Sequence, residues 1–486
     1  MKKRRLVLVI VMIAIIACGC QATPETSVVT SKSDGAFETA LENVAEEMIA
    51  EENAEAMTTM DVKKSYNDCF TSVDGNITYD MSVEIPIPTT ALPVLQVTPH
   101  TITSDEAKRV ANALFGDVVI NEYSPEMNRS EIEETILELK QHISDWDALV
   151  EYYGGDEVIA QQVTNDYENR IRILEELYQS ASDSVDVVPC EWIFYPSTHY
   201  DNASLDIGYD DDYTKIIKAT AWVDGTPYIY CVCNREASDY RIHNIYAYID
   251  DDMVSQSEKY SAEIITQADV EVILNQVETI LEEMDMGSWV IESYDISEGM
   301  IDGEKVQVMT VTASPVYNGV KMIHVPQLDS LKSEDAYASN YYYEEITFRF
   351  SGGRMTSFEF FGPLDVISIA NSDVEVLTSD EAVASFKQQM RLTDITGYQV
   401  QGIPAEIANL VPQVTTVGAQ VNSAEFGLVR TRIKNNESDF YILPAYVFSG
   451  TYIPYYSDGS EDLEWETTFA TINAVDGTII NTELGY

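Results

Sequence analysis

From Ile77 to Ile85 the chain reads Ile-Thr-Tyr-Asp-Met-Ser-Val-Glu-Ile, every second residue apolar and its neighbour polar. A period of two puts one set of side chains on one face only in an extended strand, and a slip of one residue would turn that whole set to water. The stretch must therefore pair within a sheet that has one face covered and one wet, which is the habit of antiparallel sheets. Asp74-Gly75 just before it is a hairpin turn signal. Pro86, Pro88 and Pro93 then interrupt until a short strand near Val94 to Val97.

Helices enter through local capping chemistry. Thr103-Ser104-Asp105-Glu106-Ala107 reads as a capping box ahead of a helical run, Lys108 to Leu114, and the same five letters return at Thr378 to Ala382 before Val383 to Met390. A further helix, Asp269 to Met284, leads through Gly287 into strands. Ser130 and Glu133 offer another capping box, followed by an apolar stripe of Ile132, Ile136, Leu139, Ile143 and Trp146. Gly154-Gly155 stops that helix, and Ile159, Val163, Tyr167, Ile171 and Leu174 mark a second one over Asp156 to Tyr178, so the pair reads as an antiparallel hairpin.

Between residues 186 and 260 the period changes to two again, at Trp192 to Tyr195, Ser204 to Tyr209, Lys215 to Val223, Pro227 to Cys233 and Ile242 to Ile249. Further strands are expected at Trp289 to Ile296, Lys305 to Ala313, Tyr341 to Phe350 and Arg354 to Phe361. Glu425 to Ile433, Phe440 to Phe448, Glu464 to Ala474 and Thr478 to Asn481 close the chain as β. The fold class is α+β: antiparallel sheets with packed helices in loosely repeated modules, plus an inserted helical hairpin. At about 150 residues per domain a chain of 486 residues divides into two to four units. The pattern shifts suggest a 61–185 module with the hairpin, a 186–260 meander, a 261–395 helix-plus-strands module and a 396–486 β-rich module.

The first twenty residues carry an address. Lys2, Lys3, Arg4 and Arg5 precede an apolar run from Leu6 to Ile16, then Ala17-Cys18-Gly19-Cys20. That run is too short to cross hydrocarbon, which takes about 20 residues, and a small residue before cysteine describes a secretion signal whose cysteine receives lipid. Ile15-Ile16-Ala17-Cys18 satisfies the pattern best, so Cys18 is the expected lipid attachment and Cys20 the alternative. Residues 1–20 are then signal peptide and lipobox, and residues 21–60 a polar tether with an acidic helix marked by Phe37, Leu41, Val44 and Met48. The expected location is the outer face of a Gram-positive cell membrane.

A net charge of -54 repels nucleic acid and keeps the chain soluble at an anionic surface. Cys69, Cys190, Cys231 and Cys233 are too few for a disulfide scaffold. Cys231 and Cys233 stand two apart on one face of a strand, where Cys190 could oppose either, and the alternatives are one disulfide or reduced core thiols. Histidines 100, 142, 199, 243 and 324 lack ligand spacing, and the triplets Asp210-Asp211-Asp212 and Asp250-Asp251-Asp252 lack the calcium-loop pattern. No metal or cofactor is therefore expected. Catalytic motifs of the H-E-x-x-H, G-x-S-x-G and phosphate-loop kinds are missing, so no catalytic residue is assigned and an enzyme is not expected. Tyrosines at 341–343, 452, 455 and 456 suit strand packing first and ligand stacking second.

The strands Leu443-Pro444-Ala445-Tyr446-Val447-Phe448-Ser449-Gly450 and Ile472-Asn473-Ala474-Val475-Asp476-Gly477-Thr478-Ile479-Ile480, with Ser314-Pro315-Val316-Tyr317-Asn318-Gly319-Val320, resemble those of uncharacterised lipoproteins from Gram-positive anaerobes. More distantly they resemble PepSY-like envelope modules, in which a helix packs on antiparallel strands. The resemblance implies a non-catalytic binding or regulatory role towards an envelope protein or peptide, and brings no site residues. The rival reading is a cell-wall glycan-binding protein or carboxylate-dependent hydrolase, which would show an aromatic cleft holding two facing carboxylates.

Overall fold

A computed structural model describes residues 63–480 apart from 88–91, 125–126, 154, 156, 185–186, 197–212, 237–240, 251–253, 255–258, 302–303, 324–340, 372–373, 399–411, 434–435 and 437. The alternating stretch forms strand Ile77–Pro86, buried at each apolar position and exposed between them. It pairs antiparallel with Lys63–Thr71 and parallel with Val414–Arg432. The first sheet continues through Phe440–Tyr456, Trp465–Asn473 and Ile479–Ile480. Val94–Pro99 pairs with the start of Phe440–Tyr456, and Leu364–Asn371 lies beyond it. N-terminal and C-terminal strands thus share one sheet.

The second sheet runs in the order Trp289–Ile301, Glu304–Tyr317, Glu345–Ser351, Arg354–Phe361, Arg241–Ile249, Thr226–Glu236, Thr214–Val223, all antiparallel. Its last strand also takes the short pieces Ile120–Glu122 and Tyr195–Pro196. Helices Ser104–Phe115 and Gln267–Met284 pack on this sheet through Ala107, Val110, Ala111, Ile273 and Val277, all buried. On the first sheet, helix Ser379–Leu392 sends Phe386 into the core, stacked 4.4 Å from Phe448 and edge-on to Phe70 at 6.3 Å. The protein is mainly sheet, with helices laid on it. Among the described residues no helix is long and apolar enough to cross a membrane.

Two of the three expected capping boxes form where the sequence places them. Thr103 and Thr378 each accept from the glutamate amide three residues on, at 3.3 Å, while Glu106 and Glu381 reach back. The third box is displaced: Asn128, not Ser130, caps helix Arg129–His142, accepting from the Glu131 amide at 3.0 Å. The reason is competition, since Asn128-x-x-Glu131 overlaps Ser130-x-x-Glu133, asparagine caps as well as serine, and Glu133 is taken by the Tyr178 hydroxyl at 2.5 Å. This helix stops at His142, so Trp146 starts a separate short helix, Trp146–Tyr152, instead of extending the stripe. Helix Glu157–Tyr178 then packs on the first through Ile132, Leu139, Ile171 and Leu174, with Ile159 left 42% exposed.

Other differences are equally local. Trp192 has a positive φ of 58°, which ends the expected Trp192 to Tyr195 strand and leaves only Tyr195–Pro196 paired. Tyr341 to Glu344 precede strand Glu345–Ser351, and Tyr341, Tyr343 and Glu344 are buried. The signal, the lipobox with Cys18 and Cys20, the tether and the Ser204 to Tyr209 strand lie outside the described residues.

Candidate functional site

Two crossings between the sheets lie side by side. After Pro99 the chain leaves the first sheet and enters the helix of the second, and after Phe361 it turns back through Gly362-Pro363 into Leu364. Gly362 has φ +60°, and a Cβ there would lie 2.5 Å from the Tyr342 carbonyl oxygen, so only glycine fits this turn without displacement. The crossing segments are tied together: the His100 amide donates to the Pro363 carbonyl at 2.8 Å, and the Gly362 amide to the His243 carbonyl at 3.1 Å.

His100 sits on this seam with a carboxylate on each ring nitrogen, Asp365 at 2.9 Å on Nδ1 and Glu106 at 3.0 Å on Nε2. Burial opposes its charge, but the bonds to Asp365 and Glu106 outweigh burial and raise its pKa above the ordinary histidine value. Both nitrogens can donate only as an imidazolium. Glu106 therefore serves twice, capping the helix and pairing with His100. Burial pushes the Glu106 carboxyl up, yet the Thr103 amide and hydroxyl and His100 bring it below the usual range.

His243 is fixed differently. Its Nδ1 meets the His100 carbonyl at 2.5 Å, and since a carbonyl only accepts, Nδ1 carries the hydrogen. Burial holds its pKa below the ordinary value, leaving the ring neutral with a bare lone pair on Nε2. Nε2 lies 3.2 Å from Glu236 Oε1 but without hydrogen-bond geometry, and it is an unsatisfied buried atom. Thr101 Oγ1 donates to the same Oε1 at 3.0 Å.

Glu236 opens into a cleft of about 520 Å³ lined by Thr101, Ile102, Phe194, Tyr213, Lys215 and Asn234, within the size range of small-ligand sites. The cleft exists because strands Thr214–Val223 and Thr226–Glu236 run past the start of helix Ser104–Phe115. Asn234 forms its floor, accepting from the Ile102 amide at 3.1 Å and donating to the Ile102 carbonyl at 2.8 Å. Lys215 pairs in register with Asn234, so Lys215 and Glu236 stand on one face of the sheet. A second, more polar cleft of about 440 Å³ holds Tyr260, Glu263, Glu304 and Arg354. There Arg354 is bonded to Thr226 Oγ1 at 3.1 Å and to the Lys259 carbonyl at 3.0 Å.

Deeper in the seam lies a fully buried arginine. Arg430 donates to the carbonyls of Tyr341 and Tyr342 at 2.6 and 2.5 Å, with the rings of Tyr343 and Phe440 each 4.4 Å from its guanidinium carbon. Glu344 accepts from the Tyr317 hydroxyl at 2.5 Å and the Leu364 amide at 3.2 Å, and burial pushes its carboxyl up to about 7.

The sequence-derived positions scatter. The four described cysteines are free, and Cys231 and Cys233 face a small cluster with Ile216 and Ile242. Cys190 packs with the core on the other face of that strand, in one cluster with Tyr230 and Val232, which is the arrangement of the reduced-thiol alternative. Alternation of side chains along Thr226–Glu236 is what separates them. Among the described residues no cluster of three or more His, Cys, Asp or Glu is placed to hold a metal, and the acidic triplets fall outside them except Asp250. Tyr341 and Tyr343 are core residues around Arg430, and Tyr452 packs edge-on to Tyr398 at 4.9 Å. His100, His243, Glu236 and Lys215 were not singled out as a site by sequence; Glu106 was legible only as a cap.

No family model matches the chain, and no curated protein matches it. A similar solved structure is an uncharacterized protein from Eubacterium rectale, 10% identical, with 92% of this chain and 98% of that one covered and a TM-score of 0.42.

Proposed function

We propose that this chain is an exported binding protein, tethered to the cell surface through Cys18 and acting on an envelope protein or peptide without catalysis, with the cleft at the seam as its ligand site. The carrying observation is that the cleft combines apolar walls with polar groups already committed to the fold: Asn234 braces the Ile102 backbone and Glu106 caps the neighbouring helix. Groups held in structural bonds position a ligand well and transfer protons poorly. Glu236 is the one carboxylate among the described lining residues of this cleft, where a glycosidase needs two. In the same reading, each sheet with its helices is one helix-on-strands module, in keeping with the PepSY-like resemblance, and the helices over 129–178 are an inserted hairpin.

A photo-crosslinking residue placed at Tyr213 of the full chain in intact cells tests this. The expected result is a discrete adduct that a crosslinker at the distant, exposed Tyr294 does not give; equal labelling from both positions overturns the site. The rival reading, glycan binding or hydrolysis, is favoured by the second cleft, where Glu263 and Glu304 meet Tyr260. Turnover of peptidoglycan fragments that is lost in both Glu263→Gln and Glu304→Gln would replace the binding reading with that one.

A further inference from the structure

The seam cleft carries both signs of charge on an apolar wall. Lys215 lies opposite Asn234 in the strand register and Glu236 two residues further, which sets the two side chains diagonally, about 7–8 Å apart at their roots. Among the described residues Lys215 has no ion pair, while Glu236 accepts from Thr101 Oγ1 at 3.0 Å, stands opposite Arg241 in the strand register and lies 3.2 Å from His243 Nε2. Behind Glu236, 1% exposed, His243 Nε2 waits as an acceptor with no donor. A neutral histidine lone pair facing a carboxylate oxygen at 3.2 Å is repulsive until a hydrogen comes between or beside them. A buried acceptor without a donor is costly, so the place where an N–H would be rewarded is at Glu236.

A purely anionic ligand would satisfy Lys215 and oppose Glu236. A simple amine would do the reverse. We propose that the cleft binds a zwitterion of the amino-acid class, with its ammonium on Glu236, its carboxylate on Lys215 and its apolar side chain against Ile102, Phe194 and Tyr213. This rests on the binding reading above and narrows it to a ligand chemistry that a free amino acid and a short peptide share. The ammonium adds donors at Glu236 beside the Thr101 hydroxyl from which it already accepts. The chain's net charge of -54 favours a ligand that carries no net negative charge.

Calorimetric titration of the full chain in detergent with L-leucine, Leu-Leu, N-acetyl-leucine and leucinamide tests the assignment. Saturable binding of leucine or Leu-Leu is expected, with each capped compound weaker by at least about tenfold, and the tighter of the two uncapped probes tells amino acid from peptide. Glu236→Gln should cost the uncapped ligand about tenfold and leave N-acetyl-leucine unchanged, and Lys215→Met should do the same against leucinamide. Both side chains are on the surface, so circular dichroism of the variants should match the parent chain. Equal affinity for capped and uncapped probes, or no saturable binding of any probe, overturns the proposal. If the zwitterions fail while the Tyr213 crosslink persists, the ligand class falls and the binding reading stands; if the crosslink fails too, both fall.

Discussion

Replacing Asn234 with leucine should destabilise the protein and loosen the cleft floor together. The side chain is 5% exposed and fills the only polar gap between strand Thr226–Glu236 and the Ile102 backbone among the described contacts there, with one bond received at 3.1 Å and one given at 2.8 Å. Leucine has nearly the same volume, so the packing loss is small. It removes both partners of a buried amide and carbonyl, at about 1–3 kcal/mol for each group left unsatisfied, and the expected loss is about 2–6 kcal/mol. Urea unfolding of the parent and the variant measures that loss, and hydrogen exchange at the Ile102 amide locates it. Asn234→Asp is the sharper control: it keeps the acceptor for the Ile102 amide but turns a carboxylate towards the Ile102 carbonyl. A loss below about 1 kcal/mol in Asn234→Leu, with Ile102 still protected, would refute the claim that this side chain holds the cleft floor.

Phe386→Ala should cost about 3–5 kcal/mol in the same urea assay, because the ring is fully buried between Phe448 and Phe70; a loss under about 1 kcal/mol would contradict the core assignment. Changing both Cys18 and Cys20 to Ala should release the chain from membranes or block its processing, as read by fractionation, and processed protein still held at the membrane would sink the anchor. In that variant, denaturation without reductant should expose four titratable thiols, Cys69 reacting first in the native state and Cys231, its thiol pushed up to about 11 by burial, only on unfolding. Fewer than four thiols would mean a disulfide has formed.

What could be read from the sequence was whatever is decided within a few residues. Strand Ile77–Pro86 declared itself because one face is wet and the other dry, and the Thr103 and Thr378 boxes because cap and partner are three residues apart. Where two local solutions overlapped, at Asn128 and Ser130, tertiary contacts of Glu133 chose between them. Strand Lys63–Thr71 gave no signal because it is an almost fully exposed edge, with Phe70 its single buried residue. Leu364–Asn371 was hidden by two breaks in register that blur its alternation. The site was hidden for another reason: His243 and the His100 carbonyl it binds are 143 residues apart, and no periodicity links such positions.

The seam should also make stability depend on pH, and the sign follows from Glu344. Burial raises its carboxyl from the ordinary 4.5 to about 7, so the folded state holds this proton more tightly than the unfolded chain does. Such a group contributes most below its unfolded value, and the contribution drains away as pH rises from about 4.5 to about 7, by at most about 3 kcal/mol. Arg430, close by and unable to give up its proton in practice, limits the loss by favouring the carboxylate. His100 acts in the same direction at higher pH, since its raised value means its ion pairs with Asp365 and Glu106 are lost as pH passes that value. His243 and Glu106, both lowered, act oppositely and weaken the fold on the acid side. Glu344→Gln isolates one member, because glutamine can still accept from the Leu364 amide and meet the Tyr317 hydroxyl while carrying no charge at any pH. The stability difference between Glu344→Gln and the parent chain, from urea unfolding at pH 5 and pH 8, should move in favour of the variant at the higher pH. The same difference at both values would show that the Glu344 carboxyl does not change its charge across this range, and that burial at the seam does not control it.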